Sequence, residues 1–226
     1  MIRDLSNGRM ASGSFLIFGH RGSPRVEREN SMASFRAALN SGADGFETDL
    51  RMLADDQTVL FHDDTWGGRT IEELTASKLR MLEPSLLHLA DLAELSQETR
   101  MILEVKRHGW EQRLCDLVGG WPGVVVSSFD HRVLRVVRSI SGTIETGAVI
   151  EGYFVDLASY LSSLGAGWAF PQFRFVDREM VDSLHSEGIR VVPWTANDET
   201  QWEALRRLGC DGVITDFPAE AVRWRD

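Results

Sequence analysis

Short apolar runs that stop abruptly at ionisable residues set the pattern of this chain. Phe15-Leu16-Ile17-Phe18 leads to His20-Arg21-Gly22, Gly45-Phe46 leads to Glu47-Thr48-Asp49, and Thr58-Val59-Leu60-Phe61 runs into His62-Asp63. Apolar runs of this length without polar alternation fit parallel strands buried on both faces. Between the first two, Ser31 is a good helix N-cap. Met32, Phe35, Ala38 and Leu39 then recur at helical spacing, and Gly42 supplies a C′ stop. The unit returns near the end of the chain. Val181, Leu184 and His185 mark a helix face before Gly188 and a strand over 189–194, while Trp202, Leu205 and Leu208 mark another before Gly209 and a strand over 213–216. Gly42-Ala43-Asp44-Gly45 and Gly209-Cys210-Asp211-Gly212 echo each other closely.

The middle of the chain continues the alternation, with strands expected near 101–105, 124–128, 145–150 and 168–171 and helices near 89–98, 110–119, 130–140 and 156–163. Strands alternating with helices at this period imply a parallel sheet wrapped by helices. Eight such units favour a closed (β/α)8 barrel over an open sheet. Residues 58–61 fit better as an extra hairpin strand extending from the second barrel strand. No polar linker divides the chain, so residues 15–226 form one domain after a polar, Gly/Ser-rich arm over 1–14.

Composition narrows the chemistry. With 226 residues, 43% of them hydrophobic, the chain can bury a large core. A net charge of −10 argues against general nucleic-acid or anionic-membrane binding, both of which need basic patches. An anionic substrate would therefore need a bound cation and a few placed Arg or Lys. The two cysteines, Cys115 and Cys210, give neither a metal spacing nor a disulfide framework and are expected as buried thiols in a reducing compartment. The first residues lack a secretory pattern, and no apolar run approaches the roughly 20 residues of a membrane span. The expected setting is cytoplasmic, with no stable membrane association.

Residues two apart on a strand face the same way, so Glu47 projects with Asp49, and Glu104 with Lys106. A carboxylate inside an apolar strand is costly unless paired or bound to a metal. Glu47, Asp49 and Glu104 would offer three oxygen ligands to a hard divalent cation such as Mg²⁺ or Ca²⁺. The competing arrangement is a salt-bridge network in which Lys106 and Arg51 neutralise the acids. His20 and His62, each preceded by an apolar run, flank the acidic cluster and could divide the roles of general base and general acid. Asp63 could orient one of them or simply cap a turn. His88, His108, His131 and His185 lack such settings. Arg21 offers a fork of donors matching two phosphate oxygens, and Lys106 a point charge. Trp194, at the end of a strand, could wall a substrate pocket or pack at the rim.

Taken in order, these residues resemble the glycerophosphodiester phosphodiesterase family. The resemblance runs through His20-Arg21-Gly22, Glu29-Asn30, Gly42-Ala43-Asp44-Gly45, Glu47-x-Asp49, His62-Asp63 and Leu103-Glu104-Val105-Lys106. It continues with Ser127-Ser128-Phe129, Trp194-Thr195-x-Asn197, and Asp211-Gly212 through Thr215-Asp216-x-Pro218. It implies a TIM barrel that hydrolyses glycerol phosphodiesters to glycerol 3-phosphate and an alcohol such as choline or ethanolamine. It also implies that His20 and His62 are the acid/base pair, that Glu47, Asp49 and Glu104 hold a divalent metal, and that Arg21 and Lys106 bind phosphate. The chain departs from the family pattern at Arg28-Glu29-Asn30-Ser31, after His62-Asp63, and across 86–94, the last two where relatives elaborate the cover over the site. The nearest alternatives are a phospholipase D-type enzyme acting on a lysophospholipid, as in barrels like sphingomyelinase D, and an enzyme of another small phosphodiester. A barrel without activity would typically have lost a histidine or an acidic ligand, and all five are present.

Overall fold

A ring of eight parallel strands builds this molecule. The computed structural model describes residues 15–226; the expected arm over 1–14 lies outside the described residues. In chain order the strands are β1 (Leu16–Gly19), β2 (Gly45–Met52), β3 (Thr58–Leu60), β4 (Thr65–Trp66), β5 (Arg69–Thr70), β6 (Arg100–Val105), β7 (Val124–Ser128), β8 (Glu145–Ile150), β9 (Trp168–Pro171), β10 (Arg190–Val191) and β11 (Gly212–Thr215). The barrel order is β10-β9-β8-β7-β6-β2-β1-β11, and β3 pairs antiparallel with the far end of β2 as the expected hairpin. Between β10 and β11 the ring is joined by backbone bonds rather than a paired ladder: Asp211 N–H to Val191 O (2.9 Å), Ile214 N–H to Pro193 O (2.8 Å) and Ala196 N–H to Ile214 O (3.2 Å). The result is a nearly closed TIM barrel.

The described residues form eight α-helices, of which α2 packs on the β3 hairpin and the others surround the ring: α1 (Met32–Asn40), α2 (Ala76–Leu82), α3 (Glu111–Val118), α4 (His131–Ile140), α5 (Leu157–Leu164), α6 (Arg178–Ser186), α7 (Glu199–Leu208) and α8 (Pro218–Arg225). Ser31 caps α1 as its sequence suggests, accepting from the Ser34 N–H. Phe35 on α1 is fully buried and stacks on Phe46 of β2, with centroids 4.2 Å apart. Burying such a ring contributes roughly 1.5–3 kcal/mol, and it fixes the loop before α1 against the strand that carries the acids. The repeated Gly-x-Asp-Gly segments have one explanation: Asp44 Oδ2 accepts the Ile17 N–H (2.9 Å) and Asp211 Oδ2 accepts the Val191 N–H (2.7 Å). Each aspartate thus satisfies a backbone donor at the entry of a neighbouring strand.

Two expectations change. The helix expected near 89–98 is a 3₁₀ helix, Leu89–Glu94. Leu89, Leu92 and Leu95 are all fully buried, and their three-residue spacing lines up on one edge of a 3₁₀ turn. The strand expected over 189–194 is regular only at Arg190–Val191. Val192 and Trp194 still donate to β9, but Pro171 of β9 has no N–H to return to this segment, and Pro193 has none to offer toward β11, so the regular ladder ends at Val191. The β4–β5 ribbon, α2 and α8 are additions to the expected elements.

Candidate active site

The interior of the barrel is stacked in layers, and the upper layer is where the chemistry sits. A lower layer of Leu16, Phe18, Ile102, Val125, Val149, Trp168, Phe170, Val192 and Ile214 fills the ring. Strand alternation carries each inward position two residues further, from apolar packing to a functional group. Phe18 is followed by His20, Ile102 by Glu104 and then Lys106, Val125 by Ser127 and then Phe129. Likewise Val149 is followed by Glu151, Val192 by Trp194, and Ile214 by Asp216. The later member or members of each series, Asp216 excepted, line a cavity of about 300 Å³ at the C-terminal mouth, together with Arg21, Glu47 and His62.

Glu47, Asp49 and Glu104 converge: one carboxylate oxygen from each lies within 4.8 Å of the others. Register explains the approach, since Asp49 on β2 stands directly beside Glu104 on β6. Lys106 Nζ reaches Asp49 Oδ1 at 2.7 Å and also contacts Glu104, while Arg21 Nε lies 3.2 Å from Asp49 Oδ2 as a charge contact not aligned as a hydrogen bond. Asn30, in a left-handed conformation (φ 53°), donates to Asp49 Oδ2 at 2.9 Å and accepts from Thr48 Oγ1 at 2.7 Å. Burial alone would raise the Asp49 carboxyl, but Lys106, Arg21 and the Asn30 amide together hold it down at about 2.

Glu47 has no such support. It is buried, one oxygen accepts the Arg21 N–H at 3.1 Å, and its Oε1 has no partner. Burial, then the Asp49 charge, push it up to about 8. Arg51 does not neutralise the cluster: it turns to Asp64, Glu72 and the His62 carbonyl. The salt-bridge alternative therefore accounts for Asp49 and Glu104 but leaves Glu47 unpaired. A buried, orphaned carboxylate oxygen in an all-oxygen donor set fits a hard divalent cation.

The histidines occupy different settings. His20 Nδ1 sits 2.7 Å from Asp216 Oδ1, and its Nε2 is 4.0 Å from Glu47 Oε2. Burial pulls the imidazole pKa down, yet the Asp216 hydrogen bond and the Glu47 charge outweigh it and the net shift is upward. His62 is more exposed and its Nδ1 contacts Asp63 Oδ1 at 2.9 Å, so Asp63 does lie where it can orient the ring. Arg21, itself left-handed (φ 51°), is gripped by both Glu29 oxygens at 3.0 and 3.1 Å. Burial opposes the charge on Arg21 and Lys106, but the neighbouring carboxylates raise both above their ordinary values. Trp194 lines the cavity with its Nε1–H tied to the Phe170 carbonyl at 2.7 Å, and meets Phe129 edge-on (5.6 Å, 85°).

All eight expected site residues are thus brought to one mouth, seven on the cavity wall and Asp49 just beneath it. Several neighbours had no role assigned from sequence. Asp216 anchors His20 and is itself held by Asn197 Nδ2 (2.9 Å), whose Oδ1 accepts from Thr215 Oγ1 and the Asp216 N–H. The signal was present, because 213–216 is one more apolar run ending in an acid. Asn30 carried no such mark, since its left-handed backbone and buried position are tertiary facts.

Comparison with known proteins points to one family. The glycerophosphoryl diester phosphodiesterase family model matches residues 20–104 and 98–220. A glycerophosphodiester phosphodiesterase of Bacillus altitudinis is 27% identical, covering 93% of this chain and 98% of that protein. One from Caldanaerobacter subterraneus is 24% identical over 92% and 96%. The structure of an Oleispira antarctica phosphodiesterase in complex with the product sn-glycerol-3-phosphate superposes with a TM-score of 0.84 at 23% identity, covering 92% of this chain and 96% of that one.

Proposed function

This chain belongs to the glycerophosphoryl diester phosphodiesterase family, and from that premise we propose that it hydrolyses small glycerophosphodiesters, such as glycerophosphocholine or glycerophosphoethanolamine, to glycerol 3-phosphate and an alcohol. The observation that carries the reading is the unpartnered, buried Glu47 oxygen within the Glu47–Asp49–Glu104 cluster, facing a cavity that also holds two histidines and two cations.

The substrate phosphate is held by Arg21 and Lys106, whose own carboxylate partners fix their positions. His20 and His62 divide proton transfer: one takes the proton of the attacking oxygen and the other delivers one to the departing alcohol. Asp216 holds His20 through Nδ1, which leaves Nε2 toward the cavity. Glu47, Asp49 and Glu104 would hold the divalent cation, Mg²⁺ or Ca²⁺, which when bound supplies Lewis-acid stabilisation of phosphoryl charge. The negative overall charge is answered locally by these groups. The substrate is a small molecule, not a nucleic acid. Both cysteines are free and buried, which supports a cytoplasmic setting; among the described residues no helix is long and apolar enough to cross a membrane.

Release of glycerol 3-phosphate from glycerophosphocholine, lost on chelation and restored by Mg²⁺ or Ca²⁺, is the expected result. Activity indifferent to chelation would overturn the metal assignment. A lysophospholipid is the second reading, favoured by the exposed Tyr153, Phe154 and Val155, which begin two residues after Glu151 of the cavity wall. Assaying lysophosphatidylcholine beside glycerophosphocholine separates the two.

A further inference from the structure

The cavity has two unlike walls. Strands β1, β2 and β6 are neighbours in the ring and contribute His20, Arg21, Glu47, Glu104 and Lys106. Across the mouth, β8, β9 and β10 contribute Val149, Phe170 and Trp194, with Phe129 rising from the end of β7. This second wall is apolar but for two groups, the buried Ser127 hydroxyl on β7 and one carboxylate. Glu151 stands two residues beyond Val149, on the same inward-facing row, and lines the cavity among these side chains.

Glu151 has no hydrogen-bond or ion-pair partner among the described residues, and it is outside the group of acids that converge on a common point. A carboxylate in a cavity meant for a phosphodiester anion opposes binding unless the ligand also carries positive charge near it. Beside it, Phe129 and Trp194 form a right-angled aromatic corner at 5.6 Å. Aromatic faces attract ammonium and quaternary ammonium groups. The Trp194 Nε1–H is already spent on the Phe170 carbonyl, so the indole offers a ligand its ring rather than a donor. A diester whose phosphate sits on the charged wall would extend one of its two ester groups toward this corner, and a positive charge placed there would suit the alcohol rather than the uncharged glycerol.

We propose that Glu151, with the Phe129–Trp194 corner, is a specificity determinant that selects glycerophosphodiesters whose alcohol is cationic. This rests on the phosphodiesterase reading above and names the substrate class within it. A primary ammonium donates hydrogen bonds to Glu151, whereas a quaternary one relies on its charge and the two aromatic faces.

The test compares kcat/KM for glycerophosphocholine and glycerophosphoethanolamine with that for glycerophosphoglycerol and glycerophosphoinositol, in wild type, Glu151→Gln and Glu151→Lys. Wild type favours the cationic pair. Glu151→Gln lowers the cationic-to-neutral selectivity ratio by roughly fivefold, the worth of a solvent-accessible ion pair, and Glu151→Lys lowers it further. Choline alone inhibits wild type competitively and inhibits Glu151→Gln more weakly. A ratio unchanged by substitution overturns the proposal, whether both activities fall together or neither moves; so does a wild type that prefers neutral alcohols. Failure of the wild type to cleave any of the four with Mg²⁺ or Ca²⁺ instead removes the phosphodiesterase reading, and this inference with it.

Discussion

Replacing Glu47 by glutamine should make the metal-free protein more stable while abolishing its response to cations. Glu47 is buried, with one oxygen on the Arg21 N–H and the other without a partner. Its carboxyl moves from an ordinary 4.5 to about 8, through burial first and the Asp49 charge second. Between those pH values the folded chain retains a proton that the unfolded chain has lost. Stability therefore falls as pH rises from about 4.5 toward 8 and levels off above. A tenfold change in proton affinity is worth about 1.4 kcal/mol, so the whole displacement amounts to a few kcal/mol. Glutamine keeps the shape and the acceptor for Arg21 but has no charge to bury. Urea unfolding with a chelator at pH 5 and pH 8.5 should show Glu47→Gln gaining on wild type by about 2–4 kcal/mol over that interval. Adding Mg²⁺ or Ca²⁺ at pH 8.5 should restore wild type, by roughly 3 kcal/mol at a hundredfold excess over Kd, and leave the variant unmoved. A stability difference independent of pH would refute the reasoning, because a solvated Glu47 behaves that way.

Three further outcomes are expected. Alanine at His20 or His62 should lower turnover by at least about 10²-fold with the unfolding midpoint nearly retained; activity surviving either change would remove the acid/base assignment. Asp216→Asn removes the charge that raises His20 and leaves at most a weaker, neutral hydrogen bond to Nδ1, so the limb of the pH–rate profile belonging to His20 should move to lower pH. A limb that stays in place would detach Asp216 from catalysis. At Gly22 the backbone is left-handed (φ 92°), and a Cβ would fall on the Ser34 side chain and within 2.6 Å of the Ser34 carbonyl carbon. Since Ser34 Oγ also bonds the Ser23 N–H and the Arg21 carbonyl, Gly22→Ala should cost on the order of 1–3 kcal/mol and disturb the Arg21 turn, measured as a fall in urea midpoint.

How much of this was legible in the sequence depended on range. Alternation along single strands exposed Glu47 with Asp49 and Glu104 with Lys106, because period two is written into residue order. The barrel followed from repetition, and the family resemblance ordered the pieces. What the pattern lacked was pairing between distant elements. Asp216 lies 196 residues from His20 and became its partner only when β11 closed against β1. Arg51, plausible as a neutralising cation from its spacing, follows the hairpin away to Glu72 and Asp64. The helix expected near 89–98 is a tighter coil, in which the buried Leu89, Leu92 and Leu95 recur every three residues. Glu151 follows an apolar strand as several other acids do, and nothing local said that it faced an aromatic corner.

The seam between β10 and β11 gives the barrel unequal halves. The triad stands on β2 and β6, which share six paired positions, so its carboxylates behave as a fixed anvil. Trp194 follows β10 and Asp216 follows β11, on opposite lips of the one joint made without a ladder. Loosening tends to begin where backbone bonding is sparse. Loosening of this joint would move the Trp194 wall relative to the Asp216 brace of His20, while the carboxylates, held by the β2–β6 ladder, would stay put. Changes that lengthen or stiffen this joint would thus tune alcohol release and the seating of His20 while leaving cation affinity untouched, a separation that lets one scaffold vary its leaving group without rebuilding its centre.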